Sequence, residues 1–167
     1  MRFPVFIELE GKKAVVAGAG KIGTRRIRTL ADFGTDVLVV SPELSDEVRE
    51  LWEAGIVNCE LREIVKEDIK QAILVVTATD DRSVNHQVAL WCREAGIPVN
   101  VADKKEECDF YFPGIARVGI LTAGVCAEGK AHRLAKEAAA EINRLFSEKY
   151  GFIEHSRGED EWKIRKK

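Results

Sequence analysis

Residues 13–23, KAVVAGAGKIG, decide the fold. Residues 14–17 are apolar without a break and run directly into three spaced glycines, Gly18, Gly20 and Gly23. A short continuous apolar run of this kind reads as a strand buried on both faces. Residues 21–33 follow with Ile22, Ile27 and Leu30 at helical spacing and Phe33 at the end, and Gly34 is placed to stop the helix. A G-x-G-x-x-G turn between a strand and a helix lets backbone N–H groups and the helix N-terminus face a phosphate. Gly18 permits the tight turn, Gly20 leaves room for a pyrophosphate against the backbone, and Gly23 lets the helix pack closely on the strand. Gly18, Gly20, Lys21, Ile22 and Gly23 are therefore the first candidate cofactor-binding residues.

Outward from this turn the same alternation repeats. Residues 36–40 (DVLVV) read as a strand closed by Ser41-Pro42. Residues 44–54 carry Leu44, Val48, Leu51 and Trp52 on one helical face, with Ser45 as a candidate N-cap. Residues 58–62 have a weaker strand pattern, whereas residues 73–77 (ILVVT) have a strong one. Asp81 or Ser83 opens a helix through Val84, Val88, Leu90, Trp91 and Ala95 to Gly96, and residues 98–101 form a fifth strand. Apolar strands alternating with amphipathic helices imply a parallel sheet covered on both faces, with right-handed crossovers. The fold class is α/β, a doubly wound parallel sheet.

After Asp103 the rhythm changes. Residues 110–112 and 117–122 read as two short strands around a Pro113-Gly114 turn. Residues 131–146 form a long helix with Leu134, Ala135, Ala138, Ile142 and Leu145 among its apolar positions. That stripe must be buried on the parent sheet or on a second subunit. The expected organisation is a dinucleotide domain over residues 1–112, short strands and a long helix over 113–150, and a charged, mobile tail over 151–167.

Composition narrows the function classes. The chain has 167 residues, 46% hydrophobic and 32% charged, with a formal net charge of -2. That balance builds one ordinary domain with a short appendage and offers no basic excess to attract nucleic acid or an anionic membrane. The opening MRFPVFIELEGKK has no basic stretch followed by an apolar one, and no apolar run approaches the ~20 residues that cross a bilayer. A soluble cytoplasmic protein is expected. Cys59, Cys92, Cys108 and Cys126 are widely spaced with no C-x-x-C pair, so they are expected to be reduced thiols and not metal ligands.

Open α/β sheets bind ligands beyond the carboxyl ends of their strands. An acidic residue is expected there ~20 residues after the glycine turn, to hold the adenosine ribose. This chain instead has Val40-Ser41-Pro42, with Glu43 one step further and no arginine beside Ser41 to meet a 2′-phosphate. Ser41, Pro42 and Glu43 are candidate ribose contacts, which favours NAD over NADP. Thr79 and Asp80 follow the fourth strand, and Asn100 and Asp103 stand at the end of the fifth. Asp80, Asn100 and Asp103 should converge near the nicotinamide, and Thr79 and Asn100 join Asp80 as candidate cofactor contacts. Asp103 also suits a turn at a strand end, and Thr79-Asp80-Asp81 also suits a helix N-cap.

Taken in order, these segments resemble the precorrin-2 dehydrogenase family, known also as the N-terminal part of siroheme synthase. Pro4-Val5-Phe6-Ile7-Glu8-Leu9 matches an opening P-[IVL]-F-x-x-L. Residues 78–85 match A-T-[DN]-D-x-x-V-N, residues 100–103 match N-V-x-D, and residues 110–113 match F-x-x-P. The resemblance implies a Rossmann domain with a dimerisation segment, and NAD-dependent oxidation of the tetrapyrrole precorrin-2 to sirohydrochlorin. It implies Asp103 as the catalytic residue and a homodimer formed through residues after Asp103. Some members also insert ferrous iron. A polycarboxylate substrate calls for cations, and Lys104, Lys105, Arg117, Lys130, His132 and Arg133 are candidates. Residues 122–135 lack the Ser-Pro of the corresponding family segment. Two other uses of such a chain stay open at this level, an NAD-binding sensor domain and a tetrapyrrole-binding relative without turnover.

Overall fold

The computed structural model describes residues 2–150 and the backbone of Ile153–Glu154 and Lys163–Ile164. The rest of the tail expected to be mobile lies outside the described residues. Contacts divide the chain into two units, one spanning Ile7–Tyr111 and the other running from Phe112 onward. This division falls one residue before the expected boundary at 112/113. The segment ending at Phe6 groups with the second unit by its contacts.

The first unit follows the expected alternation. Strand β1 (Lys13–Ala19) leads into α1 (Lys21–Asp32), then β2 (Asp36–Leu44), α2 (Asp46–Glu53) and β3 (Asn58–Glu60). After an irregular stretch come β4 (Leu74–Thr77), α3 (Arg82–Ala95) and β5 (Val99–Val101). All five strands are parallel, in the order β3-β2-β1-β4-β5. The order reverses direction between β1 and β4, so the crossovers there leave on opposite faces and a crevice opens at the carboxyl ends. Ala14, Val15, Val16 and Ala17 of β1 have no exposed surface, as a central strand covered on both faces requires. A buried apolar cluster joins Val15, Ala17, Val75, Val88, Cys92, Val99 and Val101. Burial in it pushes the Cys92 thiol up to about 12.

Two boundaries differ from the sequence expectation for physical reasons. Strand β2 does not close at Ser41-Pro42 but rejoins the ladder at Leu44, because a bulge separates the Ala17–Val40 and Ala19–Leu44 pairs. Pro42 has no N–H to donate and is accommodated in that bulge. The Ser41 hydroxyl donates to the Glu43 carbonyl at 2.6 Å and fixes its shape. Ser45 then caps α2 as expected, accepting from the Val48 N–H at 3.3 Å. Thr24 Oγ1 donates to the Ala19 carbonyl at 3.1 Å and lies 2.8 Å from Ser45 Oγ. With its proton used on Ala19, Thr24 accepts from Ser45, and α1 is tied to the start of α2.

In the second unit, β6 (Gly114–Val118) and β7 (Leu121–Val125) form an antiparallel hairpin, and α4 (His132–Tyr150) packs on it. Ile153–Glu154 and Lys163–Ile164 pair as a further short hairpin. The expected strand over residues 110–112 is absent, and Pro113-Gly114 leads into β6 instead of turning the chain. The turn is at Gly119, with φ +56, inside the stretch read as one strand. Gly114 is required elsewhere: a Cβ there would stand 2.7 Å from the Ala135 carbonyl oxygen of α4.

Residues 61–72, which carry no periodic pattern, are held by Asp68. Its buried carboxylate accepts Arg62 Nη1 at 2.8 Å, Arg62 Nη2 at 2.7 Å and the Val65 N–H at 2.8 Å. Lys13 Nζ donates to the Asp68 carbonyl at 2.8 Å and ties the stretch to β1. The Arg62 guanidinium holds the Asp68 carboxyl below its ordinary 3.8. A depressed folded value means stability present above the unfolded pKa and lost as pH falls through the folded one. Asp68→Ala is expected to cost about 1.5–3 kcal/mol at pH 7 in urea unfolding. The difference should shrink below about pH 4; a gap that stays constant into acid contradicts the ion pair's role.

Candidate dinucleotide site

Three short stretches of backbone meet at the glycine turn. Gly18 has φ +91, and a Cβ on it would stand 2.6 Å from the Ala78 carbonyl oxygen at the end of β4. A Cβ on Gly23 would stand 2.1 Å from the Gly18 carbonyl oxygen. These two glycines are demanded by the protein's own packing. Gly20 is different: its φ of -71 suits any residue, and a Cβ there would meet nothing within 4 Å. The free space over Gly20 lies at the N-terminus of α1, whose cap makes no side-chain hydrogen bond. Open space before uncapped N–H groups fits an incoming pyrophosphate.

That space belongs to a cleft of about 510 Å³. Gly18, Ala19 and Gly20 form its floor, residues 40–45 one wall, and Ala78, Thr79, Asp80, Asp81 and Val84 the other, with Glu63 and Ile64 at its side. The Ala78-to-Val84 wall is held by Asn85. Its buried Oδ1 accepts Thr77 Oγ1 at 2.5 Å, Thr79 Oγ1 at 2.8 Å and the Thr79 N–H at 3.1 Å. Its Nδ2 donates to the Thr79 carbonyl at 2.9 Å. The N-cap of α3 is Asp81, whose Oδ1 accepts the Ser83 N–H at 2.7 Å and the Val84 N–H at 3.4 Å. Those bonds, with one from the Ser83 hydroxyl, hold the Asp81 carboxyl below the usual range. The cap is thus Asp81, and Asp80 is left in the cleft wall.

Of the expected cofactor contacts, Gly18, Gly20, Ser41, Pro42, Glu43, Thr79 and Asp80 line this one cleft. Gly23 lies behind the turn. Lys21 and Ile22 are exposed on the first turn of α1, outside the lining. Asn100 is buried in β5, and its Nδ2 donates to the Phe110 carbonyl at 2.8 Å. Its amide holds the loop after β5, and Asn100 is not among the residues lining the cleft. Cys108 closes the same loop, with Sγ 3.2 Å from both the N–H and the carbonyl of Val101. Asp103 stands on that loop, one strand over from the Thr79–Asp81 wall, and Arg82 Nη1 is 3.6 Å from its Oδ1.

Sequence reasoning missed Glu63 and Ile64, which no periodicity announces, and the charged cluster of Arg82, His86 and Glu107. A cation in the first turn of a helix, against the dipole, was the available signal for Arg82. Of the cations proposed for a polycarboxylate, Lys104 and Lys105 follow Asp103 in the chain, whereas Arg117, Lys130, His132 and Arg133 fall in the second unit. Among the cleft-lining residues there are four carboxylates, Glu43, Glu63, Asp80 and Asp81, and no lysine or arginine. No helix among the described residues is long and apolar enough to cross a membrane.

The NAD(P)-binding family model NAD_binding_7 matches residues 5–114. The precorrin-2 dehydrogenase of Bacillus subtilis is 34% identical over 142 residues, 85% of this chain and 87% of its own. The "Probable multifunctional siroheme biosynthesis protein HemA" of Ruminiclostridium josui is 42% identical over 145 residues, 86% of this chain and 28% of its own. The solved structure of SirC, a precorrin-2 dehydrogenase, superposes with a TM-score of 0.72 at 26% identity, covering 90% of this chain and 74% of that one. The chain spans 28% to 34% of the length of the first siroheme-biosynthesis relatives it matches.

The glycines separate folding from binding. Gly20→Ala is expected to leave the melting temperature unchanged and to weaken NAD by about tenfold or more in calorimetric titration. Gly23→Ala is expected to lower the melting temperature sharply. Equal NAD affinity in Gly20→Ala and wild type contradicts a pyrophosphate at this position.

Proposed function

The chain belongs to the family of NAD(P)-binding precorrin-2 dehydrogenases and siroheme synthases, and on that premise we propose that it oxidises precorrin-2 to sirohydrochlorin with NAD. The observation that carries this reading is the cation-free glycine cleft with Asp103 on the adjacent strand end. A 2′-phosphate calls for a cation, whereas Glu43, beside the Ser41-centred bulge, suits a ribose hydroxyl pair. The cleft therefore suits NAD.

The oxidation removes one hydride and one proton from the macrocycle. Bound at the cleft, NAD supplies the hydride acceptor. The glycine turn and the α1 N-terminus would hold its phosphates, and Ser41, Pro42 and Glu43 would contact its adenosine end. Thr79 and Asp80, fixed through Asn85, border the end nearest β5. The Asp103 carboxylate takes the proton lost from the substrate as general base, a role that requires it to reach that proton. Its side chain is 37% exposed, so it meets a substrate arriving from outside. Lys104 and Lys105 stand beside it to meet the carboxylates of the substrate.

The second unit supports a homodimer through residues after Asp103. Helix α4 buries only Ala135 and Ala139, while Leu134 and Leu145 are 61% and 40% exposed. An apolar stripe on a nineteen-residue helix needs a partner surface. The four cysteines are free thiols, in keeping with a cytoplasmic setting.

The test is anaerobic incubation with precorrin-2 and NAD, following NADH and the sirohydrochlorin spectrum. Wild type should produce both in equal amounts. Asp103→Ala is expected to lose about 10²-fold or more in kcat with NAD affinity unchanged. Absence of NADH from wild type sinks the dehydrogenase reading, and full activity in Asp103→Ala removes Asp103 from the chemistry.

A further inference from the structure

Arg82 occupies an unfavourable place. It is the first residue of α3, where the positive end of the helix dipole opposes a cation. Two carboxylates from the loop after β5 offset this. One guanidinium arm bonds Glu107 Oε1, and the other lies 3.6 Å from Asp103 Oδ1. Glu107 is itself held by α3. Its Oε2 lies 3.1 Å from His86 Nδ1, one turn beyond Arg82, and its carbonyl accepts Arg93 Nη2 at 3.4 Å. Its side chain is 15% exposed, against 42% for Arg82. His86 and Arg82 together hold the Glu107 carboxyl below the usual range, which keeps it an acceptor for both.

The asymmetry sets the roles. Glu107 is the fixed end, Arg82 the bridge and Asp103 the more exposed end of one chain of charges. A planar guanidinium bound at one edge cannot rotate freely, so its second edge has a defined place. We propose that Arg82, anchored by Glu107, is a positioning residue that orients the Asp103 carboxylate for proton removal. This rests on the dehydrogenase reading above and deepens it. The loop hydrogen bonds of Asn100 and Cys108 fix the backbone that carries Asp103, and Arg82 fixes its side chain. The two devices act on different degrees of freedom. Lysine at position 82 would keep the charge but not the two-edged fork, so it should replace arginine only in part.

The experiment uses the full chain with Arg82→Gln, Arg82→Lys and Glu107→Gln. Its first readout is the Asp103 side-chain carboxylate carbon resonance in ¹³C-labelled protein, identified by its loss in Asp103→Asn. Arg82→Gln and Glu107→Gln should each displace that resonance by more than a line width without precorrin-2 present. Its second readout is steady-state turnover of precorrin-2. Arg82→Gln should lower kcat roughly ten- to a hundredfold, as a misplaced catalytic group does, with KM for NAD unchanged. Arg82→Lys should recover part of the loss. Adding Arg82→Gln to Asp103→Ala should cost nothing further. An unmoved Asp103 resonance, an unchanged kcat or a fully additive double variant overturns the role of Arg82 while leaving the dehydrogenase reading intact. A wild type that binds NAD but forms no NADH overturns that reading and this inference with it.

Discussion

At Gly18 the chain passes the backbone of Ala78 so closely that a single methyl group would not fit between them. Most of the site geometry depends on that contact. It sets β1 beside β4, directs the chain upward into α1, and lets Gly23 bring the helix down onto the turn. It also places the Thr79–Asp81 wall opposite the Ser41–Leu44 wall, so the cleft exists because the floor is narrow. The same contact explains the uneven tolerance of the glycines. Gly18 and Gly23 face protein backbone, while Gly20 faces open space that only a ligand would fill.

Hydrogen bonds from small buried polar groups then hold the walls. Asn85 gathers Thr77 and Thr79, Ser41 shapes the bulge of β2, and the Thr24–Ser45 pair ties α1 to α2. Asn85, Thr77 and Thr24 stand behind the lining, while Ser41, Ser45 and Thr79 are part of it. Unpaired, such groups would cost about 1–3 kcal/mol apiece, so their pairing constrains the walls to one shape. The loop after β5 is treated likewise, with Asn100 and Cys108 beneath it and Arg82 at its side. Charge follows the same division. The carboxylates of the cleft stand around a helix N-terminus, and the arginine nearest to Asp103 is held apart on α3.

How much of this was legible in the sequence depended on the kind of interaction. Strands β1 and β4 and helices α1 and α3 were readable because central burial leaves unbroken apolar runs and helical stripes. The glycine turn was readable because its spacing encodes the packing directly. The hairpin of the second unit was misplaced because Pro113-Gly114 is a strong turn signal, while Gly119 lies inside an apparently continuous strand. Residues 61–72 were opaque, since one carboxylate, Asp68, organises them through contacts with no period. The bond from the Asn100 amide to the Phe110 carbonyl, ten residues on, left no trace in the local pattern. The Arg82–Glu107 contact joins residues 25 apart and left only an ill-placed helical cation as its trace.

The cation-free lining of this cleft suits a dinucleotide without a ribose phosphate. Calorimetric titration of the full chain with NAD and with NADP tests it directly. The cation-free lining requires NAD to bind tighter, by about tenfold or more, since a buried phosphate without a cationic partner costs at least about 1.4 kcal/mol. Equal affinities, or a preference for NADP, would contradict it.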